Sequence, residues 1–327
     1  MRSAVQIGST APIFLPFECV IQAVFIYFQH FYAVWRLIVL NRSHKKPVMQ
    51  KKVLALHDLS CFGRSSLVPI ISVISAMGHQ CVPLPTAVFS THTAIDGWIC
   101  ADLTRSMHPS LVHFQSLGLR FDAVYSGFLG SAMQIDCVAE AAECKSTNGI
   151  FLTDPVMGDN GAVYTTYTPE MTARMSELCA LADIITPNVT EAAILLGKCP
   201  DAPIQSCAEA EDWCAALQAR YHAQIVLTGL EIIPDKVMVA CHTAGRTEWV
   251  AHERVGGFYP GTGDIFASVL LGGLLAGTSL PAAATHAGGF VRDCIAYTAM
   301  CGTDPMYGVQ LEPLLNRLCK PYETKEV

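Results

Sequence analysis

The sequence predicts an α/β protein of three layers, with helices on both faces of a mostly parallel central sheet. Three observations carry this. Short apolar runs alternate with stretches of helical apolar period from residue 53 to the end of the chain; the runs stop at polar or glycine-containing segments; and no repeat or low-complexity tract breaks the alternation after residue 50. Strand-then-helix alternation of this kind gathers ligands beyond the carboxyl ends of the strands.

Taken in order, residues 53–56 form the first strand and run into His57-Asp58-Leu59-Ser60-Cys61-Phe62-Gly63, which has the look of a functional loop. Residues 65–77 carry a helical period. Residues 82–88 are extended and punctuated by proline, and they deliver Phe89-Ser90-Thr91-His92-Thr93, rich in hydroxyls and imidazole. A helix is expected at about 107–117, a strand at 123–125 ending in Ser126-Gly127-Phe128-Leu129-Gly130, a helix at about 133–144, and a strand at 150–153 capped by Asp154-Pro155. The second half continues with a helix at 168–181, a strand at 183–185 and a proline-broken turn through Thr186, Asn188 and Glu191 that starts a helix. A helix at 208–221 precedes a strand at 224–227, whose polar exit is Thr228-Gly229. Residues 237–241 and 247–252 read as a hairpin on the sheet edge, and helices near 282–301 and 311–318 close the chain.

With 51% hydrophobic and 15% charged residues, the 327-residue chain can bury a large core. A net charge of −7 gives no basic field for nucleic acid or anionic lipid. The 14 cysteines are scattered without a Cys-x-x-Cys pair, so reduced thiols in a cytoplasmic setting are the expectation. Residues 1–48 differ from the rest: the uncharged, aromatic-rich interval 19–35 is barely long enough to span a bilayer and contains Gln22, Gln29 and His30. Met49 stands directly before the first strand, so the favoured expectation is a start codon placed too far upstream, with a membrane or organelle anchor as the alternative and one domain over 49–327.

Tyr259-Pro260-Gly261-Thr262-Gly263-Asp264 precedes an apolar run of helical period, so a glycine turn opens a buried helix. The first backbone N–H groups of such a helix lack intrahelical acceptors and sit at the positive end of its dipole, which suits a phosphoryl group. A carboxylate there repels that ligand unless it has a task, and the task at hand is to take a proton from an attacking hydroxyl. The bland reading is that Thr262 or Asp264 caps the helix. Asp154 and Glu191, at two other strand exits, are tolerable near phosphates if Mg²⁺ lies between, although Asp154 also suits a turn and Glu191 could complete a capping arrangement begun at Asn188.

Together, Asp154-Pro155-Val156-Met157-Gly158-Asp159, Ile185-Thr186-Pro187-Asn188 with Glu191, and Gly261-Thr262-Gly263-Asp264 resemble the ribokinase-like superfamily, and within it the pyridoxal kinase family. Phe89-Ser90-Thr91-His92-Thr93 and Tyr125-Ser126-Gly127-Phe128 resemble that family's vitamin-side segments. The resemblance implies phosphorylation by ATP of the 5′-hydroxyl of pyridoxal, pyridoxamine or pyridoxine, with a divalent cation such as Mg²⁺, a monovalent cation such as K⁺, and a homodimer. It further implies Asp264 as base and the amides of Gly261, Thr262 and Gly263 as anion hole. By the same resemblance, Asp154 and Glu191 lie on the metal side, Thr186, Asn188 and Thr228 at the nucleotide phosphates, Asp159 and Tyr164 in a segment folded over ATP, and Ser60, His92, Thr93 and Phe128 on the vitamin side. The chain departs from the best-studied branch in lacking its His-Val segment after the serine and in placing Phe128 where that branch has tyrosine. The rival enzyme reading is a hydroxymethylpyrimidine kinase. A catalytically silent nucleotide- or vitamin-binding protein is the rival of another class, and an intact Asp264 argues against it.

Overall fold

The computed structural model describes residues 50–319; residues 1–49 and 320–327, and with them the apolar extension, lie outside the described residues. The central sheet has eight strands in the order β13-β12-β11-β10-β7-β6-β1-β3. They are β1 (Lys52–Leu56), β3 (Gln80–Pro83), β6 (Phe121–Ser126), β7 (Lys145–Thr153), β10 (Ile184–Ile185), β11 (Gln224–Leu230), β12 (Lys236–Thr243) and β13 (Arg246–Glu253). Pairing is parallel from β3 across to β11 and antiparallel only for β11 with β12 and β12 with β13. The hairpin lies on the sheet edge, where the sequence places it.

Strand side chains alternate between two cores, as a period of two requires. Leu54, Leu56, Val124 and Phe151 face one core with helices α2 (Thr104–Ser116), α3 (Ala132–Glu143), α4 (Pro169–Leu181), α5 (Val189–Leu195) and α6 (Cys207–Tyr221). Val53, Ala55, Ala123 and Tyr125 face the other, with α1 (Leu67–Ala76), α7 (Thr262–Leu275) and α8 (Leu280–Met300). This is the three-layer α/β/α arrangement. Among the described residues no helix is long and apolar enough to cross a membrane.

Several elements differ from the sequence expectation. The expected loop after His57 is a strand, β2 (Leu59–Phe62), which pairs in parallel with β4 (Ala87–Thr91); β5 (Cys100–Asp102) lies antiparallel to β4 in this separate small sheet. These strands are short and only one face is covered, so their alternation is too brief to read. β11 continues through the expected polar exit, with a register shift between Leu227 and Leu230 and Gly229 at φ +72°. The shift frees Thr228 to donate its N–H to the Pro187 carbonyl at 2.9 Å. The final helix is 3₁₀ over Glu312–Arg317, opened by a proline in its first turn. A further hairpin, β8 (Gly158–Asp159) with β9 (Ala162–Val163), turns through Asn160 and Gly161, both at positive φ.

Candidate active site

One cavity of about 460 Å³ lies at the carboxyl ends of the parallel strands. Every site residue expected from the sequence lines it: Ser60, His92, Thr93, Phe128, Asp154, Asp159, Tyr164, Thr186, Asn188, Glu191, Thr228, Gly261, Thr262, Gly263 and Asp264. Chain topology makes this convergence, since β1, β6, β7, β10 and β11 run parallel and bring residues from 57 to 228 to one edge.

Gly261 is the N-cap of α7 at φ +82°, a conformation an L side chain rarely adopts. A Cβ there would also stand 2.0 Å from the Arg64 carbonyl oxygen, so the turn admits only glycine. The first turn of α7 thereby presents its N–H groups to the cavity, with Asp264 as the third helical residue. Asp264 does not cap its own helix. Its Oδ2 accepts the Ser66 N–H at 2.7 Å, and its Oδ1 lies 3.8 Å from His57 Nδ1. Burial, followed by the charges of Asp154 and Asp58, pushes its carboxyl up to about 8 against the bond from Ser66. A carboxyl so raised titrates close to neutral pH, and its ionised form is the stronger proton acceptor for it.

At the other end, Asp154 Oδ1 accepts the Thr186 hydroxyl at 3.1 Å, and burial lifts this carboxyl to about 7. Asp154 Oδ2 faces Gly263, 4.0 Å from where a Cβ on that glycine would stand. Glu191 completes a capping box with Asn188: its Oε2 accepts the Asn188 N–H at 2.9 Å, and its Oε1 accepts the Met157 N–H at 3.2 Å. Burial and then the Asp154 charge raise its pKa well above the carboxylate range. No ion pair among the described residues involves Asp154 or Glu191; Arg292, which lines the same cavity, is paired with Asp293. Among the described residues no three His, Cys, Asp or Glu side chains gather as a metal site, so these two carboxylates could hold a divalent cation only together with ligands from outside the protein such as phosphate oxygens and water. Asp154 has the freer oxygen, while Glu191 holds backbone with both of its own.

The remaining expected residues serve partly as scaffold. Asn188 Nδ2 donates to the Gly158 carbonyl at 2.9 Å, and Gly161 N–H donates to Thr190 Oγ1 at 2.8 Å, pinning the β8–β9 hairpin to α5. Asp159 on that hairpin accepts from Asn160, and burial raises its pKa. Tyr164 follows it at the cavity wall. His92 has both nitrogens engaged: Nε2 donates to the Met306 carbonyl at 2.6 Å and Nδ1 accepts the Ala94 N–H at 3.3 Å. It therefore offers the cavity a ring rather than a free nitrogen. Thr93 is exposed at the mouth, and Phe128 meets Phe89 edge to face at 6.0 Å to form an aromatic wall. Ser60 is on β2, with its hydroxyl donated to Asp58 Oδ2 at 2.8 Å.

Three residues escaped the sequence reading. Asp58 is a buried carboxylate on the cavity wall that takes the hydroxyls of Ser60 and, at 2.5 Å, Ser66. Ser66, at φ 55° and ψ −133°, thus holds Asp58 with its side chain and Asp264 with its backbone; such strain in a non-glycine residue collects at functional sites. His57 lies beneath Asp264. No local signal marks Ser66, whereas His57-Asp58 at a strand exit is the kind of pair that invites attention.

Asp264 and Asp154 also set a dependence of stability on pH. Their folded pKa values, about 8 and about 7, exceed the ordinary aspartate value of 3.8, so the folded state binds more protons across that interval. The contribution is full below about pH 4 and is lost as pH rises through about 8. Thermal melts of the ligand-free protein are therefore expected to fall over this window, less steeply for Asp264→Asn.

A family model for phosphomethylpyrimidine kinase matches residues 72–307. The chain belongs to the phosphomethylpyrimidine kinase family. Relatives of this family include a pyridoxal kinase of Pseudomonas aeruginosa, 29% identical over 289 residues that cover 82% of this chain and 95% of that protein. Among solved structures, one from Bacteroides thetaiotaomicron under the name phosphomethylpyrimidine kinase is 36% identical, covers 85% of this chain and 97% of its own, and superposes with a TM-score of 0.80. The same protein was also solved with pyridoxal, at a TM-score of 0.79. The pyridoxal kinase of Lactobacillus plantarum is 31% identical, covers 82% of this chain and 96% of its own, and has a TM-score of 0.76. These relatives bear out the resemblance to pyridoxal kinases and the ribokinase-like fold.

Proposed function

We propose that this protein phosphorylates the 5′-hydroxyl of pyridoxal, pyridoxamine or pyridoxine with ATP. The observation that carries the reading is one cavity with an aromatic wall at one end, a carboxylate pair at the other, and a base-bearing glycine turn between them. Asp264 takes the proton of the vitamin hydroxymethyl group as its oxygen attacks the γ-phosphorus. The amides of Gly261, Thr262 and Gly263 hold the charge that gathers on the phosphoryl oxygens. Thr186, Asn188 and Thr228 lie along the nucleotide phosphates, with Asp159 and Tyr164 over them; Phe128 and His92 wall the vitamin ring, and Ser60 and Thr93 complete that end. Asp154 and Glu191 would hold a divalent cation such as Mg²⁺, directly or through water, and that cation would supply charge neutralisation at the phosphates. A monovalent cation such as K⁺ belongs to the same proposal.

If Glu191 serves the metal, Glu191→Gln is expected to raise the Mg²⁺ concentration for half-maximal rate by roughly 10–100-fold. The vitamer KM should move far less. An unchanged Mg²⁺ dependence would leave Glu191 with its capping role alone.

A homodimer and a cytoplasmic location also belong to the proposal. Phe62 and Ile99, exposed on and beside the small sheet, support the first, and the free thiols among the described residues support the second. The family model's description favours hydroxymethylpyrimidine as a second substrate class. A coupled ADP-release assay with the three vitamers and hydroxymethylpyrimidine decides between them. Turnover of the vitamers is expected; turnover of hydroxymethylpyrimidine alone would overturn the reading.

A further inference from the structure

His57 follows the last residue of β1 and is fully buried, yet neither ring nitrogen has a hydrogen-bond partner. The molecule makes specific room for it. A Cβ at Gly127 would stand 2.2 Å from Cε1 and 2.3 Å from Nδ1, so the ring occupies a niche that any other residue at 127 would fill. Tyr125 meets the ring edge to face at 4.3 Å, and the carboxylate of Asp264 approaches Nδ1 to 3.8 Å. An apolar side chain of this shape would fill the niche without stranding two polar atoms, whose desolvation opposes folding. A core histidine with a purely structural task is ordinarily hydrogen-bonded, and this one is not.

Burial holds the imidazole neutral, down to about 3, so it does not act as a counter-ion. A neutral ring still offers one donor and one acceptor. Asp264 is held on one side only, by the Ser66 N–H on Oδ2, while Oδ1 faces His57. We propose that His57, as the Nδ1–H tautomer, is a positioning residue for Asp264: it donates to Oδ1 in the substrate-loaded enzyme and fixes the carboxylate plane towards the vitamin hydroxyl. The inference rests on the function proposed above. At 3.8 Å the contact is longer than a hydrogen bond, and a shift of about 1 Å closes it. Catalytic hydrogen bonds commonly tighten in this way on loading.

Three substitutions at this site, compared with wild type, test the idea. His57→Leu removes the donor; His57→Asn restores an N–H near the position of Nδ1; His57→Gln places its amide near Nε2 instead. Misplacing a reacting group by about 1 Å costs roughly 10²-fold. Accordingly kcat is expected to fall by roughly 10²-fold in His57→Leu, with the KM values for ATP and pyridoxal little changed and the melting temperature equal or higher. His57→Asn should recover most of that loss and His57→Gln should not. Unchanged kcat in a folded His57→Leu, or equal loss in the Asn and Gln variants, would overturn the proposal. A second readout does not depend on turnover. In ¹⁵N-histidine spectra of the wild-type enzyme with ADP, Mg²⁺ and pyridoxal, the His57 signal should show the proton on Nδ1, and Asp264→Asn should shift it. A proton on Nε2 in that complex would equally overturn it. Failure of the vitamer assay with an Nδ1–H signal coupled to Asp264 would instead fault the substrate assignment alone.

Discussion

Asp264→Asn is expected to lower kcat with pyridoxal by roughly 10²–10⁴-fold, the usual worth of a general base. ATP affinity should be equal or better. Asparagine keeps the size and keeps an oxygen for the Ser66 N–H, so the turn that carries the anion hole stays in place. It also removes a negative charge from a cavity that already holds Asp58 and Asp154, which relieves repulsion towards the nucleotide. The signature is collapsed turnover with retained binding and a melt no lower than wild type above neutral pH. Near-wild-type turnover in a folded Asp264→Asn protein would mean that the carboxylate is a first-turn helix acid and nothing more.

Gly261→Ala is the second large effect, and its mechanism differs. A methyl group at 261 would lie 2.0 Å from the Arg64 carbonyl oxygen and 2.8 Å from Ser65 Cα, both backbone, so no side-chain rotation relieves the clash. The first turn of α7 must move away from the segment that delivers Ser66, and its free N–H groups and Asp264 move with it. Loss of such preorganised donors costs roughly 10²–10³-fold in rate, so kcat/KM is expected to fall at least that far. Gly277→Ala is the control: that glycine also has a positive φ, of +88°, but open space around its Cβ position. It should lose a little stability and no activity. Equal activity losses in the two variants, measured with saturating Mg²⁺, would show that close approach at Gly261 is not what matters.

Much of the site is legible in the sequence because each part is local. A run of buried apolar residues that stops at Asp154 or Thr186, or that starts just after Gly261-Thr262-Gly263-Asp264, announces a strand end or a helix start within a few positions. The scaffold roles are harder to read. His92 stands in a segment rich in hydroxyls and imidazole, but the partner of its Nε2 is a carbonyl 214 residues away. Ser66 joins Asp58 to Asp264 across 8 and 198 residues, and nothing in its own neighbourhood marks it. Glu191 was legible twice over, as a metal-side carboxylate and as the third residue of a capping box, and the structure realises the capping box in full. The β8–β9 hairpin carried the Asn160-Gly161 turn signal, but its two-residue strands are too short for alternation to support it.

The segment at 305–308 touches the small-sheet end of the cavity at several points: the Met306 carbonyl receives His92, the Tyr307 carbonyl receives the Arg64 N–H, and the Tyr307 ring meets Phe62 edge to face. In order of synthesis these residues follow every strand of the central sheet. A nascent chain that has already laid down all eight strands and every carboxylate of the cavity still lacks the strap that seats His92. The end of the cavity that holds Asp154 and Glu191 is thus laid down earlier in translation than the contacts that seat His92.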